Sequence, residues 1–397
     1  MGFLDRSKMS ACLRIKRKKE KETDSRGQSS FIKNGGLLLE KLIAIRNEKR
    51  SPVRNFSAEQ LKSATNNYDE RQILHEAGDC KLYKGTLQDR PICIKKFVAQ
   101  PERLRSDVNE IAIATRMSIH KKDDGYIFYK GTRQDKPVCI KKFFPSSSKY
   151  VSLAINEIAN ASQVSAHKHV LKLLGCCLET EIPILVYEFV QNGTLSDRLY
   201  GSDRQPLPWK CRLRIARDIA HAVAYLHAAF SRPIIHRDIK PSNILLDQQN
   251  VAKLSDFSLC ISIPEGKQRV KDAVCGTIGF IAPEYATTGY ISEKSDVFAF
   301  GVLLLVLLTA QIVWDQKFLH NDFFLISGRV KYHVENNRFN EIVDSRILEE
   351  TLWSGTEQQL QDFTALAFRC INENEEDRPT MINVAKILGQ MEKSSHC

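Results

Sequence analysis

The longest apolar run in the chain extends from Val297 to Trp314. Its length raises a membrane-spanning interpretation, since about 20 apolar residues cross a bilayer. However, Gly301, Thr309 and Gln311 interrupt the run. The pattern therefore favours a helix buried inside a globular protein, and a membrane span is the weaker alternative.

A second helix is predicted to begin after Ser57. Gln60 follows three residues later, which is the spacing of a capping box, in which each side chain binds a backbone N–H group of the first helical turn. The sequence therefore predicts an ordered helix upstream of the first β-rich segment.

The most specific motif lies at residues 236–243, which read HRDIKPSN, and DFS follows at residues 256–258. The first motif resembles the catalytic loop of protein kinases. The second resembles their metal-binding motif, with serine in place of glycine. Phosphoryl transfer requires positioned charges and metal ions, so a base, a cation and two metal ligands at this spacing suit that chemistry.

Two downstream segments strengthen the resemblance. Residues 276–284, GTIGFIAPE, resemble the end of an activation segment, and Arg378 would form a buried structural ion pair with Glu284. The resemblance implies an α+β, bilobal protein-kinase fold with a small β-rich lobe and a larger helical lobe. The predicted organisation is a basic, disordered leader (1–54), a small lobe (55–190) with a duplicated segment (83–112 and 129–159), a large lobe (191–393) and a tail (394–397).

The resemblance also assigns roles to individual residues. Asp238 would accept the proton of the attacking hydroxyl, and Lys240 would lie near the transferred phosphate. Asn243 and Asp256 would hold Mg²⁺, and ATP is the expected nucleotide. The candidate catalytic residues are Asp238, Lys240, Asn243, Lys141 and Glu157, and the candidate cofactor-binding residues are Lys141, Glu188, Val190, Asn243 and Asp256.

The glycine-rich loop of the kinase pattern is degraded. Its three glycine positions hold His75, Ala77 and Cys80, and only the additional Gly78 remains. Asp79 also brings a carboxylate to the place where triphosphate charge would approach. Because small residues allow backbone N–H groups to close over phosphates, we expect ATP to bind weakly.

The chain contains an internal repeat. Tyr83–Phe97 and Tyr129–Phe143 match at 12 of 15 positions with an offset of 46. Each copy predicts two strands and a helix of a kinase small lobe. Each also carries the lysine and glutamate of the phosphate-orienting ion pair, Lys95 with Glu110 and Lys141 with Glu157.

Only one copy fits into the small-lobe sheet. We expect the second copy to occupy it, because this copy runs directly into the next predicted strand at residues 167–174. An equally open alternative is that the repeat is an artefact of gene annotation, which transcript sequence across residues 119–129 would decide.

Composition favours a cytoplasmic protein. Eleven cysteines without a signal peptide indicate free thiols in a reducing compartment. The formal net charge is +11, but the leader holds 15 basic and 6 acidic residues, so the remainder is close to neutral. That distribution does not indicate nucleic-acid binding. The basic run at 14–19 could contact anionic lipid at the inner face of the plasma membrane; acylation at Gly2, nuclear import and a solvated tail remain alternatives.

Three further segments narrow the resemblance: NGGLLL at 34–39, LGCCLE at 174–179 and SIPEG at 262–266. They are similar to plant wall-associated-type receptor kinases, and more specifically to a cytoplasmic subgroup of degenerate kinases. This subgroup implies two partners, a nucleotide-binding leucine-rich-repeat immune receptor and a client receptor-like cytoplasmic kinase.

Two function classes remain open at this point. The first is an adaptor pseudokinase in immune signalling, favoured by the lost glycines and by an activation segment whose only hydroxyls are Ser258, Ser262 and Thr277. The second is an active serine/threonine kinase, favoured because the general base and both metal ligands are present.

Overall fold

The computed structural model describes residues 28–44, 53–77, 80–97, 147–201, 207–315, 325–349 and 356–394, together with the backbone of three strands between 118 and 143. These residues form a small lobe built on a six-stranded sheet and a large lobe built mainly of helices. The predicted bilobal α+β fold is confirmed.

The small-lobe sheet has the strand order β1-β8-β9-β4-β3-β2. Alternate residues of β9 face opposite sides: Val186 packs in a cluster with Leu61 of the capped helix α2 (Ala58–Ala64), whereas Leu185 packs in the main core. The strands of this sheet are β1 (Arg54–Asn55), β2 (Ile73–Ala77), β3 (Cys80–Leu87), β4 (Arg90–Phe97), β8 (Leu173–Cys177) and β9 (Ile184–Glu188).

The first copy of the repeat supplies the hairpin of this sheet, so the prediction that the second copy does so is wrong. Strand β4 pairs with β9, with Ile92 opposite Glu188. The second copy forms a separate three-stranded sheet of β5 (Ser118–Asp123), β6 (Tyr126–Arg133) and β7 (Lys136–Phe143). The two hairpins are nearly identical in sequence, so local patterning could not select between them.

The helix of the small lobe nevertheless comes from the second copy. Helix α3 (Ser147–Val164) follows β7 and buries Tyr150, Ile155 and Ile158 in the main core. The lobe therefore combines a hairpin from one copy with a helix from the other. The helix of the first copy, around Glu110, lies outside the described residues.

The large lobe is organised around helix α7 (Glu293–Thr309), which corresponds to most of the apolar run. Its residues are buried on all sides, and a side chain on Gly301 would lie 2.6 Å from Ile371, so glycine permits close packing against α11. Among the described helices, none combines the length and apolar character that a membrane crossing requires. The remaining helices are α4 (Leu195–Tyr200), α5 (Trp209–Ala228), α6 (Pro283–Thr288), α8 (Ile326–Glu335), α9 (Phe339–Ile342), α10 (Ser345–Leu348), α11 (Thr356–Cys370) and α12 (Met381–Ser394).

Short strand pairs position the catalytic and activation segments of the large lobe. Strand β10 pairs with β13, β11 with β12, and β14 with β15. Their bounds are β10 (Ile234–Ile235), β11 (Ile244–Leu246), β12 (Ala252–Leu254), β13 (Ile261–Ser262), β14 (Arg269–Lys271) and β15 (Tyr290–Ser292).

Part of the predicted disordered leader is a helix. Residues 28–44 form α1, and the buried Asn34 side chain donates to the carbonyl oxygens of Leu178 and Thr180, each at 2.9 Å. At the other end, Arg232 of the large lobe donates to the carbonyl of Ala44 at 3.2 Å. The prediction of disorder is therefore wrong for this segment, because these contacts attach it to both lobes. The basic run at 14–19 lies outside the described residues.

Candidate active site

The roof of the candidate nucleotide cleft is formed by β2 and β3, where the glycine-rich loop was expected. His75, at the first glycine position, places Nδ1 3.6 Å from Oδ1 of Asp197 in α4. Hydrogen bonds from His75 and from the Thr194 backbone outweigh the effect of burial and lower the pKa of Asp197 to about 2. The roof is thereby connected to the large lobe. Gly78 and Asp79 lie outside the described residues.

Lys95 and Glu157 form the ion pair at the back of the cleft. The Nζ atom of Lys95 lies 2.8 and 3.0 Å from the two carboxylate oxygens of Glu157. The prediction had placed Lys141 in this pair. Lys141 instead belongs to β7 of the separate sheet, because the first hairpin is the one that pairs with β9.

Tyr187, at the gatekeeper position, is also bound to this pair. Its hydroxyl donates to Oε1 of Glu157 at 2.6 Å. Burial raises the pKa of Glu157 to about 7, although Lys95 counteracts this effect. This bond depends on the exact placement of α3 beside β9, so it could not be predicted from the sequence.

The carboxylate of Asp256 is held from two sides. Its Oδ1 atom lies 3.2 Å from Nζ of Lys95 and accepts a 2.6 Å hydrogen bond from Oγ of Ser258. Burial alone would raise the pKa of Asp256, but Lys95 and Ser258 lower it well below its usual value. Burial alone would likewise lower the pKa of Lys95, but Asp256 and Glu157 raise it well above its usual value. Both groups are therefore charged at neutral pH.

Helix α3 fixes the backbone of the DFS motif. The side chain of Asn156 donates to the carbonyl oxygens of Ser258, at 2.7 Å, and Cys260, at 3.0 Å. Asp256 itself has a φ of +65°, a conformation that is unusual for a residue other than glycine. These bonds hold the motif in the geometry that brings Asp256 to Lys95.

The catalytic loop brings its predicted residues together around Asp238. Lys240 Nζ lies 2.7 Å from one carboxylate oxygen, and Thr277 Oγ1 donates to the other at 2.6 Å. Asn243 donates its amide to Asp238 at 2.9 Å. This places a base, a cation and a metal-ligand candidate within one hydrogen-bonded cluster, with Thr277 as an addition that the sequence analysis did not assign to it.

Glu188, a predicted cofactor-binding residue, is the last residue of β9. The carboxylate of Glu188 contacts Lys253 Nζ at 2.8 Å and accepts from the backbone of Lys172 at 3.0 Å. Val190, two residues further, is buried in the main core.

The two candidate metal ligands, Asn243 and Asp256, are only partly available to Mg²⁺. Asn243 uses its amide nitrogen toward Asp238, which leaves its amide oxygen for a metal. Asp256 offers a carboxylate, but Oδ1 is already engaged by Lys95 and Ser258. When bound, Mg²⁺ would neutralise phosphate charge. In this chain, these two residues would hold it and Lys95 would orient the phosphates.

Arg237 of the catalytic loop is bound to an acidic residue of the activation segment. Its Nη2 donates to Oδ2 of Asp272 at 2.5 Å, and Nη1 donates to Sγ of Cys275 at 3.0 Å. The backbone of Asp272 is held in turn, since its N–H donates to the carbonyl of Gly289. The sequence analysis missed Asp272; the available signal was an acidic residue in a segment with few hydroxyls.

The predicted ion pair of Glu284 and Arg378 is confirmed. Both guanidinium nitrogens lie 2.8 Å from the carboxylate oxygens in a bidentate arrangement, and the arginine side chain is fully buried. The pair joins the activation segment to the segment before α12 and supports the architecture of the site without touching it.

Comparison with known proteins gives consistent matches. A family model described as "Protein kinase domain" matches residues 127–388. The chain is 36% identical over 381 residues to the serine/threonine-protein kinase ZRK1 of Arabidopsis thaliana, a match that covers 95% of each chain. It is 36% identical over 375 residues to the non-functional pseudokinase ZED1 of the same plant, covering 92% of this chain and 96% of that protein. Wall-associated receptor kinase 2 is 37% identical over 379 residues, covering 94% of this chain and 44% of the receptor.

Proposed function

This chain belongs to the protein kinase family, and we propose that it acts as an adaptor pseudokinase in plant immune signalling. In this role the kinase fold is a binding surface that links a nucleotide-binding leucine-rich-repeat immune receptor to a client receptor-like cytoplasmic kinase. Residual, weak binding of Mg-ATP accompanies the role. The protein acts in the cytoplasm, and its basic leader contacts the anionic inner face of the plasma membrane.

The observation that carries the proposal is the engagement of Asp256. A working metal ligand presents its carboxylate to Mg²⁺, whereas Oδ1 of Asp256 is bound by the Lys95 ammonium and the Ser258 hydroxyl. A metal that binds through Oδ1 would have to displace the hydroxyl and compete with the ammonium group. Hydrogen bonds to charged groups contribute about 1.5–3 kcal/mol, so this competition weakens metal binding substantially.

The roof of the cleft supports the same conclusion. The glycines that would let backbone N–H groups approach the phosphates are replaced, and His75 contacts Asp197 across the cleft. The larger side chains therefore hinder the close approach of backbone N–H groups to phosphate.

The activation segment carries its own acidic partner for an arginine of the catalytic loop. In kinases that are switched by phosphorylation, a new phosphate orders this segment through arginine. Here Asp272 supplies a permanent negative charge to Arg237. A segment that binds this arginine through its own carboxylate suits a docking platform better than one that depends on phosphorylation.

We place the client kinase on this platform. Arg269 and Lys271 are exposed on β14 and lie over the ring of Tyr290. Together with Lys267 they form a basic surface that suits an acidic or phosphate-modified partner. Reversing the charge of these three residues should abolish co-precipitation of such a partner, and unchanged capture would count against this docking site.

A second candidate function is that of an active serine/threonine kinase. The observation that favours it is the cluster of Asp238, Lys240 and Thr277, whose mutual distances of 2.6–2.7 Å suit the alignment of a hydroxyl substrate. The relatives do not separate the two functions, since ZRK1 carries the name of a kinase and ZED1 that of a pseudokinase.

Intact-mass measurement of autophosphorylation separates the two functions. The purified protein is incubated with Mg-ATP or Mn-ATP beside an Asp238→Asn variant and a related active kinase. The adaptor function predicts no added phosphate on wild type under conditions that label the active kinase fully. Phosphate on wild type but not on Asp238→Asn would overturn it and establish the kinase.

A further inference from the structure

The two three-stranded units of the chain have the same backbone pairing. In the small lobe, Tyr83 lies opposite Ile94, and in the separate sheet Tyr129 lies opposite Ile140. Both units also have a register shift at the same point of the first strand, between Ile73 and His75 in the small lobe and between Ile119 and Lys121 in the separate sheet. The two hairpins are therefore equal in strand length and pairing, and the two units share the same irregularity.

Most side chains that the small lobe buries from the first hairpin recur in the second, although the buried Cys80 corresponds to the larger Tyr126. Cys93, Ile94 and Phe97 are almost fully buried. The residues 46 positions later are again cysteine, isoleucine and phenylalanine, and Ile92 becomes Val138, which is smaller by one methylene group. A volume change of this size is tolerated in protein cores. Because the alternation along each strand has a period of two, equal register also sends the same residues to the same face.

Connectivity permits either hairpin to enter the sheet. From the end of β7 only residues 144–146 lead to α3, whereas residues 98–146 separate β4 from the same helix. The family match begins at residue 127 and so includes the second hairpin but not the first. The structure inserts the first hairpin beside β9. The family match therefore favours the second hairpin as the partner of β9, whereas the structure places the first hairpin there.

We propose that the two hairpins exchange within one folded protein, so that either β4 or β7 pairs with β9. In the exchanged arrangement Lys141 replaces Lys95 as the partner of Glu157, and the large lobe is unchanged. Two packings of one sequence coexist when their free energies are close. The buried residues of the two hairpins are nearly identical, so the two arrangements should have similar free energies. The exchange is independent of whether the protein acts as an adaptor or as a kinase.

The differences between the copies bias the exchange toward the first hairpin. Leu82 and Leu87 pack against the two core clusters of the small lobe. Their counterparts in the second copy are Phe128 and Arg133. An arginine in place of a packed leucine disfavours the exchanged arrangement. We therefore expect it to be the minor state, at about 1–10% of molecules, a range typical of alternative conformations.

Disulfide trapping in the full-length chain tests the exchange. Cysteine at Glu188 is combined with cysteine at Ile92, its partner on β4, or at Val138, the equivalent position of β7. Directly opposite residues on neighbouring strands lie at distances that a disulfide can span. Oxidised glutathione is added, and peptide mapping by mass spectrometry identifies which bridges form.

We expect both variants to form the bridge, the Val138 variant about ten- to a hundredfold more slowly, as its lower population requires. Thr132→Cys with Glu188→Cys is the matched control, because the equivalent Thr86 of β3 does not pair with β9. The proposal is overturned when the Val138 variant bridges no faster than this control while the Ile92 variant bridges.

Two deletions of 46 residues provide a test that does not depend on Glu188. Removing 80–125 leaves only the second hairpin, and removing 98–143 leaves only the first. If the hairpins exchange, both shortened chains should fold. Each should then have the near-ultraviolet circular dichroism spectrum of the full-length protein and should unfold cooperatively. Folding of the second deletion alone would show that the second hairpin cannot occupy the small lobe.

Discussion

Replacing Ser258 with glycine should increase the effect of Mg²⁺ on ATP binding by about tenfold. The Ser258 hydroxyl donates to Oδ1 of Asp256 at 2.6 Å and is almost fully buried. Such a bond to a charged acceptor contributes about 1.5–3 kcal/mol. If metal binding sacrifices an energy at the lower end of this range, the hydroxyl costs the metal about 1.4 kcal/mol, which corresponds to about a tenfold change in affinity.

The same substitution should lower stability. The folded protein loses the hydrogen bond, and glycine adds about 0.5–1 kcal/mol of backbone entropy to the cost of folding. We therefore expect the free energy of unfolding to fall while metal-dependent binding rises. Opposite signs for the two quantities are the specific signature of a hydroxyl that stabilises the fold at the expense of the metal site.

The assay is isothermal titration calorimetry with ATP in excess Mg²⁺ and in EDTA, so that the ratio of the two dissociation constants isolates the metal. Ser258→Ala is the matched control, since it removes the hydroxyl but retains Cβ. Both variants should show the larger ratio. An increase in the glycine variant alone would assign the effect to backbone freedom, and no increase in either would refute the competition between Ser258 and Mg²⁺.

Three further predictions concern the framework of the site. Arg378→Ala should reduce the free energy of unfolding by about 3–5 kcal/mol in urea titrations, because it leaves Glu284 without its buried partner; a loss below 1 kcal/mol would contradict this. Asp272→Ala should increase amide hydrogen exchange of the activation segment about tenfold, since a charge-assisted bond of about 1.5 kcal/mol to Arg237 is lost, whereas Asp272→Glu should preserve protection. Burial lowers the pKa of His167 to about 4, so wild type should lose about 1–2 kcal/mol of stability as pH falls from 6.5 to 4, after allowance for partial exposure. Because the pKa of His167 is lower in the folded protein than the unfolded value of 6.5, the unfolded chain binds the proton first as pH falls. His167→Gln should therefore flatten the plot of unfolding free energy against pH between 6.5 and 4. An unchanged slope in this variant would contradict the assignment to His167.

The motifs with fixed spacing determined the fold and most of the catalytic loop. Asp238, Lys240 and Asn243 lie within six residues of one another, so their proximity follows from one loop. The Glu284–Arg378 pair and the Ser57–Gln60 capping box were also predictable. These features rest on local geometry or on a resemblance that spans the chain, and both are properties of sequence.

The tertiary structure alone decided which lysine faces Glu157. The two hairpins have the same alternation of apolar and polar residues and the same lysine, so no local signal distinguishes Lys95 from Lys141. Pairing with β9 distinguishes them, and that pairing joins residues about 95 positions apart. The engagement of Asp256 by Ser258 and Lys95, and of Arg237 by Asp272, likewise arises only when separate segments converge. Sequence thus determined which groups are present, and the packing of the two lobes decided which of them are already bound to one another.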